Sequence, residues 1–360
     1  MAVMIEGRRR PPMPGPPGRI VERIYRAVVS SRNRAFDAGR RVADIGVPVI
    51  SVGNISVGGT GKTPMVAHIV RTLLDAGANP AIAMRGYKSQ PGEPSDEEAQ
   101  HEAMFPETPI VAQPDRIAGL RTLLSSQRGA GVDCVVLDDG FQHRFIARTL
   151  DIVLVDASRD PFNDRCLPAG WLREPVESLA RADAVVITHA ERVSGEEIDR
   201  LASMIEVAHG ATPLAAARHA WSHIETPTGP MDVEALEGLR VYAVCAIGHP
   251  EAFVDQLKAA GAEMTGAAVL RDHARYTPTL ARRIMAAAQE TGAEAIATTE
   301  KDWVKLWRAL PDEMSRGEDG WAPVYRPALA LAFDSGEEAL REAVLGAAGR
   351  TGVLSSSIHG

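Results

Sequence analysis

Residues 49–64 read VISVGNISVGGTGKTP, and this stretch decides the fold. A run of apolar and β-branched residues leads into a glycine-rich loop and then into Gly-Lys-Thr, the order typical of a strand, a loop and the start of a helix. Glycines allow successive backbone N–H groups to point at one place, and the positive end of the helix adds to them. The stretch therefore predicts a cradle for the phosphates of a nucleoside triphosphate.

The chemistry of this phosphate loop follows from its last residues. In the usual assignment Lys62 reaches the β- and γ-phosphates, and the Thr63 hydroxyl coordinates Mg²⁺. The general pattern begins with glycine, whereas this chain has Ser56 there. A structural turn without a nucleotide is the alternative, and the preceding strand and the three glycines argue against it. The predicted nucleotide-binding residues are Ser56, Val57, Gly58, Gly59, Thr60, Gly61, Lys62 and Thr63.

Length and composition narrow the class of protein. A chain of 360 residues exceeds one typical domain, so we expect two. The net charge of −8 is not that of a nucleic-acid-binding protein, and no stretch approaches the roughly 18 apolar residues of a membrane span or resembles a secretory signal. The three cysteines are far apart in sequence, which favours a reducing compartment and argues against a disulfide framework or a zinc site.

The N-terminal segment is basic although the whole chain is acidic. Residues 1–41 carry ten arginines against three acidic residues, a balance of +7. A helix is predicted over about 19–30, with arginines opposite an apolar stripe made of Ile20, Val21, Ile24, Tyr25, Val28 and Val29. Two interpretations stay open: a helix lying on an anionic membrane surface, or a helix packed on the core with a solvated back.

From residue 47 onward, short apolar runs alternate with helical patterns. This alternation is typical of an α/β fold of the phosphate-loop NTPase type, a mostly parallel sheet with helices on both faces. Ligands in such sheets bind beyond the carboxyl ends of the strands. The predicted strands are 47–52, 80–84, 134–137, 152–155 and 184–187, and the predicted helices are 64–75, 117–126 and 196–207.

The pattern breaks around residues 209–240, which are rich in proline and glycine. Strand-like and helical runs then resume over 241–299, and they predict a second, smaller α/β domain. The predicted organisation is a basic N-terminal segment with a membrane-associating helix over 1–45, a phosphate-loop domain over 46–217, a smaller C-terminal domain over 218–345 and a flexible tail over 346–360.

Two predicted strands end in aspartate. Phosphoryl-transfer sites of this kind need an acid at such a strand end for Mg²⁺ or its waters. The run ending at Asp138-Asp139 continues into Gly-Phe-Gln-His-Arg over residues 140–144, whereas the run ending at Asp156 has no such continuation. We therefore favour Asp138 and Asp139 for the metal and interpret Asp156 as a turn or helix-cap residue.

Three further groups cannot be assigned from residue chemistry alone. Residues 95–98, Ser-Asp-Glu-Glu, read as an acidic loop, and such loops are usually solvated. Asp272-His273 lies between a strand and a helix, where a histidine is either a cap or surface residue or a ligand or base. Residues 298–302, Thr-Thr-Glu-Lys-Asp, follow a strand and could cap a helix or contact substrate.

Taken in order, six blocks of this chain resemble the tetraacyldisaccharide 4′-kinase family, the lipid A 4′-kinases of Gram-negative bacteria. The resemblance covers about residues 20–310 and includes the serine at the first loop position. The blocks are residues 52–64; Arg85-Gly86-Tyr87; residues 138–144; Leu167-Pro168-Ala169-Gly170 with Leu172-Arg173-Glu174-Pro175; Asp272-His273; and residues 298–302 with Val304-Lys305-Leu306.

The resemblance implies a reaction and a location. The γ-phosphate of ATP would move to the 4′-hydroxyl of a tetraacyldisaccharide 1-phosphate and give lipid IVA in lipid A biosynthesis. The family implies two α/β/α domains and a peripheral protein at the cytoplasmic face of the inner membrane. The expected partners are therefore an acylated disaccharide 1-phosphate lipid and an anionic membrane surface, and we expect a monomer that binds no nucleic acid.

The same resemblance implies roles for the candidate residues. The family's catalytic acid lies in a Gly-Asp-Glu-Pro motif, which reads Ser-Asp-Glu-Glu here, so Asp96 is the implied base. His273 would orient Asp96 to accept the hydroxyl proton, and closure of two domains would bring them together. Lys62 would stabilise the transferring phosphoryl group. Thr63 and either Asp138 or Asp139 would hold Mg²⁺, directly or through water.

Further contacts with the substrate are expected from residues near the strand ends, and among them the arginines are candidates for phosphate because guanidinium groups bind phosphate in a bidentate manner. The predicted substrate-contacting residues are Asn54, Arg85, Arg116, Gln142, His143, Arg144, Arg173 and Glu174.

Two other functions stay open: a phosphate-loop ATPase or ligase acting on a soluble small molecule, and a nucleotide-dependent switch at a membrane.

Overall fold

The computed structural model describes residues 11–39, 42–86, 95–247, 250–271 and 274–350. The helices are α1 (Pro16–Asp37), α2 (Lys62–Asp75), α3 (Asp96–Met104), α4 (Arg116–Leu124), α5 (Gly195–His209), α6 (Pro250–Ala259), α7 (Pro278–Glu290), α8 (Glu300–Leu306), α9 (Asp312–Arg316) and α10 (Glu337–Ala347). The strands are β1 (Val49–Asn54), β2 (Pro80–Met84), β3 (Ile110–Ala112), β4 (Cys134–Asp138), β5 (Leu150–Asp156), β6 (Ala184–Thr188), β7 (Ala215–Thr226), β8 (Gly229–Met231), β9 (Arg240–Cys245), β10 (Glu263–Val269), β11 (Ala295–Thr298) and β12 (Val324–Ser335).

The described chain divides into two compact units. The first contains the residues up to 86, residues 105–219 and residues 331–350, and the second contains residues 95–104 and 220–330. Two helices are grouped differently from the sequence boundaries. Helix α3 belongs to the second unit because it packs against α8, and α10 belongs to the first because it packs against α2, β1 and β5. Asp96 therefore shares a unit with the second α/β region, contrary to the sequence expectation.

The sheet of the first unit confirms the predicted α/β class. Its strands lie in the order β7-β6-β5-β1-β4-β2-β3, and every neighbouring pair is parallel. All residues of β1, β2, β4, β5 and β6 are buried, as expected when helices cover a parallel sheet. Helix α2 packs on β1, β2 and β4, while α4 packs on β2 and β3 and α5 on β6.

The neighbouring strands β1 and β4 bring the two central sequence motifs together. Val52 of β1 pairs with Asp138 of β4, and the Gly140 N–H donates to the Val52 carbonyl at 3.0 Å. The chain after β4 crosses so close to β1 that a Cβ atom on Gly53 would lie 2.4 Å from the Phe141 Cβ. Glycine at position 53 is thus required by this approach, which sets the aspartates beside the phosphate loop.

The second unit has its own parallel strands, in the order β10-β9-β11-β12. Between β11 and α8 the Thr299 side chain accepts a hydrogen bond from the Asp302 N–H, as an N-cap residue does. The Asp302 carboxylate in turn accepts from the Ala246 N–H at 2.9 Å, just after β9. The helix-capping interpretation of residues 298–302 is therefore confirmed for Thr299.

Helix α1 presents two different faces. Glu22, Val29 and Phe36, seven residues apart, are buried on one face. The predicted apolar stripe is divided: Val29 belongs to the buried face, whereas Ile20 and Ile24 keep 63% and 62% of their surface exposed, and Val21 and Val28 are exposed as well. Within the described ranges no helix is both long enough and apolar enough to cross a membrane. The helix is therefore packed on the first unit and still carries an exposed apolar stripe.

Candidate active site

The phosphate loop is shaped by glycines at the positions that need them. Gly58 has a φ of 125° and Gly61 a φ of 80°, values that side-chain-bearing residues rarely adopt. The Gly61 carbonyl accepts the Met65 N–H at 3.1 Å and so joins the loop to the first turn of α2. The predicted strand–loop–helix arrangement is present, with Lys62 as the first residue of the helix.

Side chains from neighbouring strand ends hold the loop. The Asn54 amide donates to the Thr60 hydroxyl at 2.6 Å, and the Thr188 hydroxyl donates to the Thr60 carbonyl at 3.0 Å. A ring nitrogen of His189 lies 3.0 Å from the Gly59 carbonyl. Sequence reasoning missed Thr188 and His189, although their place at the end of an apolar strand was a signal that could have found them.

Lys62, Asp139 and Arg173 form a continuous ionic group. The Lys62 ammonium lies 3.5 Å from one Asp139 carboxylate oxygen. The Arg173 guanidinium donates to both oxygens of the same carboxylate at 2.8 Å. The lysine of the phosphate loop is thereby connected to an arginine more than 100 residues later, so these three predicted residues are brought together.

Asp139 adopts a backbone conformation that is unusual for a side-chain-bearing residue, with a φ of 52°. Burial, the largest influence, would raise the pKa of its carboxyl group, but the positive charges of Lys62, Arg173 and Arg116 outweigh it and lower the pKa below 3.8. Arg116 is almost fully buried and donates to the Asp139 carbonyl at 3.3 Å. Asp139 is therefore a carboxylate surrounded by cations.

The two strand-end aspartates differ in their surroundings. Asp138 is buried as the last residue of β4, beside β1. Asp156 instead closes a local turn, since one of its carboxylate oxygens accepts from the Ser158 N–H at 2.9 Å and from the Ser158 hydroxyl at 2.6 Å. The interpretation of Asp156 as a turn residue is confirmed.

Gln142 and His143 follow Asp139 and lie at the same strand end. The Gln142 amide donates to the Asn54 carbonyl at 2.8 Å and accepts from Arg173 at 3.4 Å, which ties the β4 end to the β1 end. Burial, followed by the nearby charges of Arg116 and Arg148, lowers the pKa of His143 to about 4. His143 is therefore neutral at physiological pH.

Two of the predicted substrate-contacting residues are engaged with helix α1. Arg144 donates to the Asp37 carboxylate at 2.7 Å and to the Asn33 carbonyl at 3.0 Å. The fully buried Glu174 accepts from the Asn33 amide at 2.7 Å and from Arg181 at 2.8 and 2.9 Å. Both residues thus fasten α1 to the first unit, a role that the sequence did not reveal.

The remaining candidates are less fully described. Arg85 follows β2 and is exposed. Asp96 is the first residue of α3. Tyr87, Asp272 and His273 lie outside the described residues. The predicted pairing of Asp96 with His273 therefore stays a prediction.

Comparison with known proteins gives a consistent result. Residues 18–347 match the family described as Tetraacyldisaccharide-1-P 4′-kinase. The chain is 35% identical over 321 residues to a tetraacyldisaccharide 4′-kinase of Anaeromyxobacter dehalogenans, with 82% of each chain covered. It is 37% identical over 306 residues to the enzyme of that name from Geobacter metallireducens, with 79% of this chain and 87% of the relative covered.

A solved structure is similar over nearly the whole chain. It is the crystal structure of an "apo" form of LpxK from Aquifex aeolicus in complex with ATP. The similarity has a TM-score of 0.65 at 26% sequence identity, and it covers 91% of this chain and 97% of that one.

Proposed function

This chain belongs to the tetraacyldisaccharide-1-P 4′-kinase family, and from that premise we propose how its residues carry out the reaction. The activity is that of an ATP-dependent kinase of lipid A biosynthesis, which phosphorylates the 4′-hydroxyl of a tetraacyldisaccharide 1-phosphate. The observation that carries the mechanism is the ionic group of Lys62, Asp139 and Arg173 beside the phosphate loop. Two cations beside the phosphate loop would supply the charge stabilisation that a transferring phosphoryl group needs.

We assign Asp139 to orientation rather than to metal binding. Its carboxylate oxygens are already contacted by Lys62 and Arg173, and the lowered pKa keeps it ionised. An ionised Asp139 holds both cations in place before the nucleotide arrives, so that little reorganisation is needed at the moment of transfer.

The oxygen donors at the ends of β1 and β4 fit Mg²⁺, which prefers hard oxygen ligands. The buried Asn54 amide oxygen has no hydrogen-bond partner among the described residues. Together with the Thr63 hydroxyl and the Asp138 carboxylate it makes three oxygen donors that could serve the ion. We propose that Thr63 and Asp138 hold the ion. When bound, Mg²⁺ neutralises charge on the β- and γ-phosphates.

Asp96 is the proposed base. The 4′-hydroxyl oxygen forms a bond to the γ-phosphorus, its proton passes to the Asp96 carboxylate, and the bond from the γ-phosphorus to the bridging oxygen breaks to release ADP. This assignment rests on the family motif and on the place of Asp96 at the start of α3. His273 is the proposed positioning residue for Asp96.

The test is transfer of label from γ-labelled ATP to tetraacyldisaccharide 1-phosphate in detergent with Mg²⁺. Asp96→Asn should lower kcat by at least ~100-fold, since general-base loss has that scale, while ATP binding is retained. Glu102→Gln changes an exposed acid on the same helix and should retain activity. Full activity of Asp96→Asn would contradict the assignment of Asp96 as the base. Absence of labelled lipid with the unaltered enzyme would contradict tetraacyldisaccharide 1-phosphate as the acceptor.

We further propose that α1 docks on the anionic cytoplasmic face of the inner membrane. The exposed stripe of Ile20, Ile24 and Val28 lies on a helix whose arginines, Arg19 and Arg23, are exposed as well. Apolar area combined with basic charge is what binds a helix to an anionic lipid surface. Bringing the enzyme to the surface would give it access to an acylated acceptor.

Vesicle sedimentation tests this docking. Replacing Ile20, Ile24 and Val28 by serine should reduce binding to phosphatidylglycerol vesicles at low salt by at least ~10-fold, because three apolar side chains lose their burial in lipid. Val207→Ser removes an apolar side chain that is 89% exposed on α5 and should leave binding unchanged. Unchanged binding of the triple variant would contradict the proposal.

A further inference from the structure

Three potential metal-ligating side chains meet beside the phosphate loop, at Gly59 and Gly61, and none of the three has a role in the proposed reaction. His189, Glu191 and His219 each offer one ligand atom, and these atoms lie within 4.8 Å of one another. The His189 and His219 rings are 4.1 Å apart between centroids and meet edge to face. The Glu191 side chain is 27% exposed, which leaves a route by which an ion reaches the cluster from solvent.

The hydrogen bond to Gly59 selects one tautomer of the neutral His189 ring. Its Nε2 lies 3.0 Å from the Gly59 carbonyl, and a carbonyl only accepts, so Nε2 carries the proton. In the neutral ring Nδ1 then presents a lone pair, and it does so 3.4 Å from a Glu191 carboxylate oxygen. A lone pair facing a carboxylate is repulsive unless a cation lies between them. This arrangement is therefore suited to a bound cation.

The other groups hold Glu191 in place. One of its carboxylate oxygens accepts from the His219 backbone N–H at 3.1 Å, which leaves the second oxygen directed toward His189. That second oxygen also accepts from Arg192 at 3.3 Å, so an arriving ion competes with this arginine. The His219 ring packs against the loop, since a Cβ on Gly61 would lie 2.9 Å from its Nε2.

The backbone of His189 supports the same interpretation. Its φ of 57° and ψ of 35° are left-handed, a conformation that costs a non-glycine residue on the order of 1 kcal/mol. This conformation turns the ring toward Gly59 at the point where β6 ends. An imidazole N–H donated to a backbone carbonyl is also the arrangement that orients most metal-ligating histidines.

We propose that His189, Glu191 and His219 form a binding site for a Zn²⁺-class transition-metal ion, distinct from the Mg²⁺ site. Two imidazoles and one carboxylate, with water in the fourth position, are a ligand set that Zn²⁺ accepts. Tetrahedral Zn²⁺ needs ligand atoms about 3.3 Å apart, so small side-chain movements from the observed separations suffice. The spacing of the three cysteines argues against a cysteine-based zinc site and does not bear on these histidine and glutamate ligands.

The site would act on the phosphate loop through His189. An ion on Nδ1 makes the opposite N–H a stronger donor to Gly59 and so stiffens the loop before the nucleotide binds. Metal and nucleotide should therefore tighten each other's binding, because such coupling is reciprocal. This inference goes beyond the kinase mechanism and requires neither Asp96 nor the lipid.

The test titrates the whole protein with Co²⁺, a coloured substitute for Zn²⁺, in the presence of excess Mg²⁺. A visible absorption band at one Co²⁺ per chain is expected, and Zn²⁺ should abolish it. Glu191→Gln keeps an oxygen for the His219 N–H and should weaken Co²⁺ binding at least ~10-fold. Glu225→Gln alters a second Glu–His pair, 2.8 Å from His223, and should leave binding unchanged.

Two outcomes would overturn the site. Absence of a saturable Co²⁺ band means that a proton alone occupies the cluster, and equal binding by Glu191→Gln means that the ion binds elsewhere. A matched thermal unfolding curve for the metal-free variant excludes misfolding as the cause. The coupling is checked with a fluorescent ATP analogue, whose Kd should fall at least ~5-fold with Zn²⁺ in the unaltered protein. An unchanged Kd would overturn the coupling.

Discussion

The carboxyl ends of β4 and β5 have the same sequence pattern but different surroundings. Each strand is a buried apolar run that ends in aspartate. After β4, Asp139 is contacted by the ammonium of Lys62 and the guanidinium of Arg173. At the end of β5, the Asp156 carboxylate accepts local hydrogen bonds from the N–H and the hydroxyl of Ser158. The two carboxylates therefore differ in the cations that distant segments bring to one of them, and this difference is the basis of the role proposed for Asp139.

What separates the two ends is the chain that follows. Residues 140–144 cross β1 closely enough to require glycine at position 53, and this crossing brings Gln142 and Asp139 to the phosphate loop. The chain after Asp156 turns back on itself instead. Residues 140–144, which distinguished the two aspartates in the sequence, therefore matter in two ways. Their backbone passes close to β1, and the Gln142 side chain contacts the end of β1.

The largest expected effect comes from neutralising each aspartate in turn. Asp139→Asn should lower kcat by at least ~100-fold, because Lys62 and Arg173 lose the anion that orients them. Asparagine tolerates the left-handed backbone, so the fold should persist. Asp156→Asn keeps an acceptor for Ser158 and should change kcat less than ~3-fold. Steady-state kinetics with ATP and the lipid acceptor measure both, and equal losses would break the comparison.

A smaller effect is expected from changing the cation. In Arg173→Lys the charge remains, but a flexible and more strongly hydrated ammonium replaces the planar guanidinium whose Nη1 atom contacts both Asp139 oxygens. We expect kcat to fall about 10-fold, equivalent to about 1.4 kcal/mol. Arg200→Lys alters the exposed Arg200–Asp160 pair and serves as the matched control. A larger loss in the control than in Arg173→Lys would refute the role of the ionic group.

The smallest effect concerns pH and the burial of the β4 end. Burial, with Arg116 and Arg148, lowers the pKa of His143 from 6.5 to about 4, so the unfolded chain takes up its proton first as pH falls. The folded state therefore keeps its full free energy of unfolding above about pH 6.5, and it loses the contribution from neutral His143 as the pH falls from 6.5 toward 4. His143→Gln should therefore show a smaller fall in the free energy of unfolding between pH 7 and pH 5. Urea denaturation at both pH values measures the free energy of unfolding. If it falls as much in His143→Gln as in the unaltered protein, the lowered pKa of His143 is contradicted.

Much of the first unit could be predicted from local patterns. The run at 49–64 specifies its own strand, loop and helix, because glycine conformation and apolar periodicity act over a few residues. Asp138 and Asp139 were also found, since strand ends of parallel sheets meet at one edge. The joining of Lys62 to Asp139 then follows from the pairing of β1 with β4.

The missed features all depend on contacts between distant segments. Helix α3 has few strongly apolar residues, and its place in the second unit follows from packing on α8. His189 gains its importance from a loop carbonyl 130 residues earlier in the chain. The helical periodicity of α1 showed its apolar residues, but the burial of Glu22 depends on residues such as Cys166, whose N–H donates a hydrogen bond to the Glu22 carboxylate. Periodicity does not record such partners.

The fastening of α1 has a consequence for deletion experiments. The Tyr25 hydroxyl donates to the Arg173 carbonyl at 2.8 Å, and Asn33 and Arg32 contact the fully buried Glu174. Removing the helix would strip a buried carboxylate of two partners and loosen the residue that grips Asp139, with a cost of several kcal/mol. A truncated enzyme would thus lose turnover even on a water-soluble acceptor, and only substitutions on the outward stripe separate lipid attachment from the integrity of the catalytic centre.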